Sequence, residues 1–258
     1  MTPRRALVIL IVSSALIRLI AAFNLGLGND EAYHFLYAAH PALSYYDHPP
    51  MMAWVEMAGL ALSGNHATSW ALRLGFIVLF GCSTWVLAKL TSRSYGEWPG
   101  FLAALALNVT GYYGLAAATL ALPDGPLLFF WLLTIDRLTV ALDEPDPRRL
   151  RPWVWVGLAW GGALLSKYHA VLIPLAVCLY ALLHRPMRRL IFQPGPLLAL
   201  AIGLLLFSPV IAWNASHGWA SFIFQGSRAV GSSLPRPDYL LVAILAQAGY
   251  LFPWIWVP

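Results

Sequence analysis

The chain is 258 residues long, 60% hydrophobic and only 10% charged, against about 25% charged in an ordinary soluble domain. Those proportions exclude a water-solvated globule and make lipid the solvent for most of the sequence. The formal charge of +5 does not point to nucleic acid either, because Arg and Lys come in short clusters between long apolar runs, which is how membrane topology is written.

Residues 1–23 have the basic start and apolar middle of a signal peptide, but the run continues past Arg18 without a convincing cleavage site, so the segment reads as an uncleaved first helix. With about 20 apolar residues needed per span, the sequence predicts helices near 6–27, 67–88, 97–118, 125–142, 153–166, 168–183, 195–213 and 239–257. The fifth and sixth are short, and Ser166-Lys167-Tyr168-His169 leaves almost no loop between them, which predicts a tight hairpin at one membrane surface. Between the first two spans, residues 28–69 are too long for a turn and contain two weakly apolar stretches, 30–40 and 50–63, neither long enough to cross. These predict short helices along the interface of the first external loop, with Tyr33, Tyr37, Tyr45, Tyr46 and Trp54 at headgroup level. Cys82 and Cys178 lie inside apolar runs, where they behave as small hydrophobes and suggest neither a disulfide nor a metal. The expected fold is an all-α polytopic membrane protein of about eight segments, a single domain over 1–258.

Basic residues test this threading, because they accumulate in cytoplasmic loops. Arg4, Arg5, Lys89, Arg93, Arg148, Arg149, Arg151, Arg185, Arg188 and Arg189 fall on one side, and only Arg73, Lys167, Arg228 and Arg236 on the other; Arg18 and Arg137 lie within helices near their ends. The N-terminus is therefore expected in the cytoplasm. His34, His40, His48, His66, His169 and His217 then fall on the outer side with Asp30, Glu31, Asp47, Glu56 and Asp124, leaving His184 inside. Insertion alone disfavours polar residues near a membrane, so this asymmetry points to an outward-facing site.

Five segments supply its candidates. In Asn29-Asp30-Glu31-Ala32-Tyr33-His34, a helical backbone puts Asp30 and His34 on one face, where a carboxylate could act as general base, with Glu31 free for another partner; the alternative is that Asn29 or Asp30 caps the helix. In Tyr45-Tyr46-Asp47-His48-Pro49-Pro50, the prolines stiffen the backbone and suit Asp47 and His48 to binding, or simply start an interfacial helix. Pro123-Asp124-Gly125 is ordinary turn chemistry in which Asp124 could cap a helix, and gains functional weight only in the company of the other acidic groups. Lys167, with Tyr168 beside it, lies on the side where cations are scarce; it could meet the phosphate of a lipid-linked ligand or reach ordinary membrane lipids. The stretch Trp213-Asn214-Ala215-Ser216-His217-Gly218-Trp219 could be an interfacial belt or a sugar platform. A divalent metal on Asp47, His48 and His217 is chemically possible, although no His pair shows a ligand spacing such as i, i+4.

The order of these motifs resembles the bacterial branch of the dolichyl-phosphate-mannose protein mannosyltransferases and the related aminoarabinose transferases of lipid A. The resemblance rests on Asp30-Glu31, Tyr46-Asp47-His48-Pro49-Pro50, Pro123-Asp124-Gly125-Pro126-Leu127-Leu128-Phe129-Phe130-Trp131, Leu164-Leu165-Ser166-Lys167-Tyr168 and Trp213 to Trp219, in that order across nearly the whole chain. It implies a GT-C helical bundle in a bacterial inner membrane, taking sugar from a polyprenyl-phosphate donor and passing it, with inversion, to a lipid, glycan or protein acceptor at the external face. By the same resemblance Asp30 is the base, Glu31 and Asp124 shape the acceptor and donor sites, and Lys167 faces the donor phosphate, so that no metal cofactor is required. His48 stands where aminoarabinose transferases carry lysine, a departure that counts against both the aminoarabinose substrate and a fixed cation at that position. Family members commonly run longer, with further spans and an external C-terminal domain, which predicts that this chain lacks the C-terminal part. Two other classes fit the composition. A transporter or lipid flippase would place its ionisable groups near the bilayer midplane, whereas here they flank span ends; a non-catalytic membrane subunit would co-purify with partners and transfer nothing.

Overall fold

The first helix starts where the sequence supplies its caps: Thr2 Oγ1 accepts from the Arg5 amide at 3.4 Å, and Pro3 brings a pre-set φ to the first turn. In a computed structural model of the protein, which describes residues 1–146, 148–230 and 237–251, the helices are α1 (Pro3–Asn24), α2 (Asn29–Ala39), α3 (Met51–Leu62), α4 (Ser69–Tyr95), α5 (Glu97–Val109), α6 (Asp124–Leu142), α7 (Arg151–Ser166), α8 (Leu172–Leu183), α9 (Pro194–Ser216), α10 (Ala220–Val230) and α11 (Pro237–Leu251). A π-helical segment covers Gly111–Ala117 and a single 3-10 turn covers Tyr168–Val171. Among the described residues there is no strand, as expected. Arg236 and the last part of the eighth expected segment, 252–257, lie outside the described residues.

Among the described residues four helices, α1, α4, α6 and α9, are long and apolar enough to cross a membrane, and α5 with the π-helical segment makes a fifth if the bent pair counts as one span. The eight segments expected from hydropathy fall largely on helix where they are described, but eight spans are not reached: among the described residues α7, α8 and α11 are too short to count by length and composition. Residues 97–118 are not one straight helix. The chain bends by 68° at Thr110, whose extended backbone breaks the ladder and whose hydroxyl accepts from the Gly114 amide at 3.3 Å. The backbone freed by the bend has a partner from another helix: buried Arg18 of α1 donates to the Gly114 carbonyl at 2.7 Å and to Asn108 Oδ1 at 3.3 Å, with its guanidinium over the Phe80 ring. Irregular backbone at membrane depth is tolerated where protein groups satisfy it in this way.

Helix α4 packs against α1, α3, α5 and α6, while α7 lies between α6 and α9. The α7–α9 contact depends on small residues, as membrane helix contacts often do. A Cβ added at Gly203 would come within 2.1 Å of the Trp160 ring, so the indole lies flat against bare backbone. Trp160, Leu164, Phe207 and Val210 form the core there, with Phe130 and Leu206 against them.

The two short helices expected over 30–40 and 50–63 are present as α2 and α3. Of the five aromatic residues assigned to headgroup level, Tyr33, Tyr46 and Trp54 are exposed, but Tyr37 and Tyr45 are buried and stacked on each other at 4.0 Å. Their hydroxyls explain the difference, since each has an internal partner that water would otherwise supply.

Ion pairs mark the far end of the bundle. Arg4 of α1 meets Glu97 of α5 at 2.9 Å, Arg93 of α4 meets buried Asp136 of α6 at 2.7 Å, and Arg137 closes on the other oxygen of Asp136. The end of α1, the start of α4, the start of α6, the end of α7 and the end of α9 meet at the opposite end, beside α2, α3 and α10.

Candidate active site

Helix α2 begins at Asn29 with Gly28 at its N-cap, and the Glu31 carboxylate reaches back to accept from the Gly28 amide at 2.9 Å. Capping is thus done by Glu31, and neither Asn29 nor Asp30 is used for it. Expected beside Asp30 at the site, Glu31 instead turns into the protein and is 1% exposed. Arg73 of α4 grips it with two nitrogens at 2.7 and 2.6 Å and also donates to the Leu25 and Gly26 carbonyls at 2.8 Å each. The Ala121 amide adds a fourth donor at 3.0 Å. Burial on its own would raise the Glu31 carboxyl; Arg73 and the two amides outweigh it and hold the group below its ordinary value.

With Glu31 buried on one side, the helical twist turns Asp30 and His34 to the other, into a cavity of about 890 Å³. Asp30 is exposed to that cavity and has neither a hydrogen bond nor an ion pair among the described residues. A carboxylate with no internal donor is free to accept a proton from a bound hydroxyl.

The wall opposite α2 in sequence comes from the loop before α3. Tyr45 ties that loop down: its hydroxyl donates to the Tyr37 carbonyl at 2.8 Å and accepts from the Ala42 amide at 3.1 Å. Ser221 and Gln225 of α10 donate to the Tyr45 and Asp47 carbonyls at 2.7 and 2.6 Å. Asp47 and His48 thereby reach the cavity from a backbone held on two sides, ahead of Pro49 and Pro50. The Tyr37 hydroxyl donates to Asp47 Oδ1, and the Tyr33 hydroxyl lies 2.9 Å from Tyr37. Burial, then the Asp47 and Tyr33 hydroxyl contacts, keep Tyr37 protonated far above the ordinary range. Burial likewise lowers His34, and pushes His48 down to about 4 against the pull of Asp47, so both imidazoles are neutral near pH 7.

Asp124 is the first residue of α6, not its N-cap; Pro123 holds that position. Its two oxygens accept from Lys167 Nζ at 2.9 and 3.0 Å. Lys167 ends α7 in extended conformation, which swings the ammonium across to α6. Tyr168 lines the cavity and packs edge-on to Phe207 and Phe222.

Asp30, Asp47, His48, Asp124, Lys167 and Tyr168 are therefore brought to one cavity. His217 is not. It is exposed, stacked on Trp213 at 4.0 Å with Nδ1 donating to the Trp213 carbonyl, so an ion on Asp47, His48 and His217 has no geometric basis. The Trp213–Trp219 stretch works as a turn. Gly218 has φ 62°, and buried Asn214 accepts from the Ser221 amide at 3.1 Å, aiming α10 back at the loop it anchors. Sequence reasoning left out Gln225, Arg228, His169 and Tyr112, which also line the cavity. Arg228 and His169 did carry a signal, as a cation and an imidazole on the outer side; Gln225 and Tyr112 carried none.

A family model described as dolichyl-phosphate-mannose-protein mannosyltransferase matches residues 47–213, well over half the chain and including Asp47, His48, Asp124, Lys167 and Tyr168. The chain belongs to that family. The chain is also 29% identical over 189 residues to the lipid A galacturonosyltransferase RgtD of Rhizobium johnstonii, a match over 73% of this chain and 38% of the relative. The crystal structure of ArnT from Cupriavidus metallidurans in the apo state superposes with a TM-score of 0.68 at 21% identity, covering 98% of this chain and 50% of that one. That likeness establishes the fold. The chain spans about half the length of the solved structure and 38% of the galacturonosyltransferase.

Proposed function

We propose that this protein transfers a sugar from a polyprenyl-phosphate donor to a lipid acceptor, with inversion, at the external face of a bacterial inner membrane. The observation that carries the reading is an unpartnered Asp30 carboxylate on the same cavity as the Lys167–Asp124 pair. A base and a fixed cation are the two groups such a transfer needs. Asp30 takes the proton of the acceptor hydroxyl as its oxygen attacks the anomeric carbon; the bond from that carbon to the phosphate oxygen breaks, and polyprenyl phosphate leaves with an added negative charge. Lys167 meets that charge, held by Asp124 in one orientation, and Arg228 on the cavity wall supplies a second cation. The leaving step then requires no metal. A lipid acceptor is favoured by the relative that acts on lipid A. All eight apolar segments cross or enter the bilayer in this reading, with α5 as a broken span, the N-terminus in the cytoplasm and the cavity outside.

The test is Asp30→Asn in the intact protein. Sugar transfer, read by mass spectrometry of envelope lipids from cells with and without the gene, falls by about 10²- to 10⁴-fold while protein abundance in the membrane is unchanged. Transfer retained by the variant removes Asp30 as the base.

A further inference from the structure

Beside the groups assigned to transfer, the cavity holds a second constellation. One ligand atom from each of His34, Asp47 and His48 lies within 4.8 Å of the other two. We propose that these three residues bind a divalent transition-metal ion of the zinc type, leaving a coordination position open to the cavity.

The donor set selects the ion. Two neutral imidazoles and one carboxylate suit zinc and its neighbours, whereas magnesium and calcium prefer all-oxygen sites. Three protein ligands with an open place is the pattern of sites that take up a further ligand. The partners of each side chain leave the correct atoms free. The His34 Nδ1 proton goes to the Ala121 carbonyl at 3.4 Å, which keeps the lone pair on Nε2. Asp47 Oδ1 is held by the Tyr37 hydroxyl, which leaves Oδ2. His48 is the odd member: Nδ1 is buried without a partner, and Nε2 lies 3.8 Å from Asp47 Oδ2, beyond hydrogen-bond reach. With the proton on Nδ1, the Nε2 lone pair beside Asp47 Oδ2 is left for an ion placed between the two.

Distance and rigidity agree. Tetrahedral zinc with bonds of about 2.0–2.2 Å needs ligand atoms about 3.4 Å apart, so the set has to contract by about an ångström, which rotation of two imidazoles supplies. The backbone need not move, because Gln225, Ser221 and Tyr45 already fix the loop carrying Asp47 and His48. The inference stands apart from the transfer reading, which draws its base from Asp30 and its cation from Lys167.

The experiment uses the full chain, purified in detergent without a polyhistidine tag and stripped with chelator. Titrated with Zn²⁺, it is expected to bind about one equivalent and to melt at higher temperature as it does so. His34→Gln and His48→Gln each abolish that equivalent, Tyr37→Phe weakens it about tenfold, and His217→Gln leaves it intact. Asp30→Asn is expected to lose transfer and keep the metal, so each proposal can fail without the other. Absence of a stoichiometric site overturns the inference. So does a site indifferent to both His34→Gln and His48→Gln in chains that still elute as folded monodisperse protein, or one that Mg²⁺ fills as readily as Zn²⁺.

Discussion

Glu31 and Asp30 are neighbours in sequence with opposite environments. Glu31 has four donors and is almost fully buried; Asp30 has none among the described residues and faces the cavity. Removing one partner of a buried ion pair strands the other, a change that costs about 3–5 kcal/mol. Arg73→Ala is therefore expected to lower the melting temperature of the detergent-solubilised protein sharply and to reduce its yield, while Asp30→Asn leaves both unchanged. The pH dependence has a definite sign. A carboxyl held below its ordinary value in the fold contributes stability that is complete above the unfolded value and is lost as pH falls through the folded one. Melting curves of the wild type should thus decline on acidification below the ordinary carboxylate range, and a Glu31→Gln variant should show a weaker decline. The i, i+4 spacing already placed Asp30 and His34 on one face. It could not tell that Glu31 would be consumed by Arg73, because that partner lies 42 residues away.

At the scale of elements, hydropathy found the helices and missed their interruption. Residues 97–118 are apolar enough for a straight span, but their geometry depends on Arg18, 96 residues from the carbonyl it satisfies. A positive charge inside the first helix reads as a tolerated anomaly until its acceptor is known. Losing it leaves a buried carbonyl unsatisfied, which costs about 1–3 kcal/mol. Arg18→Leu, although more apolar and better suited to a membrane helix by composition, is expected to lower the melting temperature. An unchanged or raised value would mean that the bend does not need the guanidinium. The Trp213–Trp219 stretch shows the converse. Its residues looked like ligands because they were polar among aromatic residues, yet their hydrogen bonds are spent within the turn that aims α10.

Across the whole molecule, two polar ends are separated by the apolar bundle. One end has the Arg4–Glu97 and Arg93–Asp136 pairs, and the other has the cavity. This division was legible in the sequence because charge asymmetry is a global property that survives errors in helix boundaries. The convergence of four of the five ordered motifs on one cavity was legible only through their order; no local pattern specifies which loops meet. A cysteine introduced at Ser63, in the first external loop, should react with a membrane-impermeant maleimide in intact spheroplasts once Cys82 and Cys178 are replaced by alanine. Labelling only after permeabilisation would invert the topology.

The loop bearing Asp47 and His48 is fastened by Ser221 and Gln225, whose partners lie 176 and 178 residues earlier in the chain. During synthesis the ribosome must deliver all of α9 and most of α10 before that fastening can form. The cavity is consequently incomplete until α10 has been made, and a nascent chain stalled before residue 221 carries Asp47 and His48 on a loop that nothing from α10 fastens.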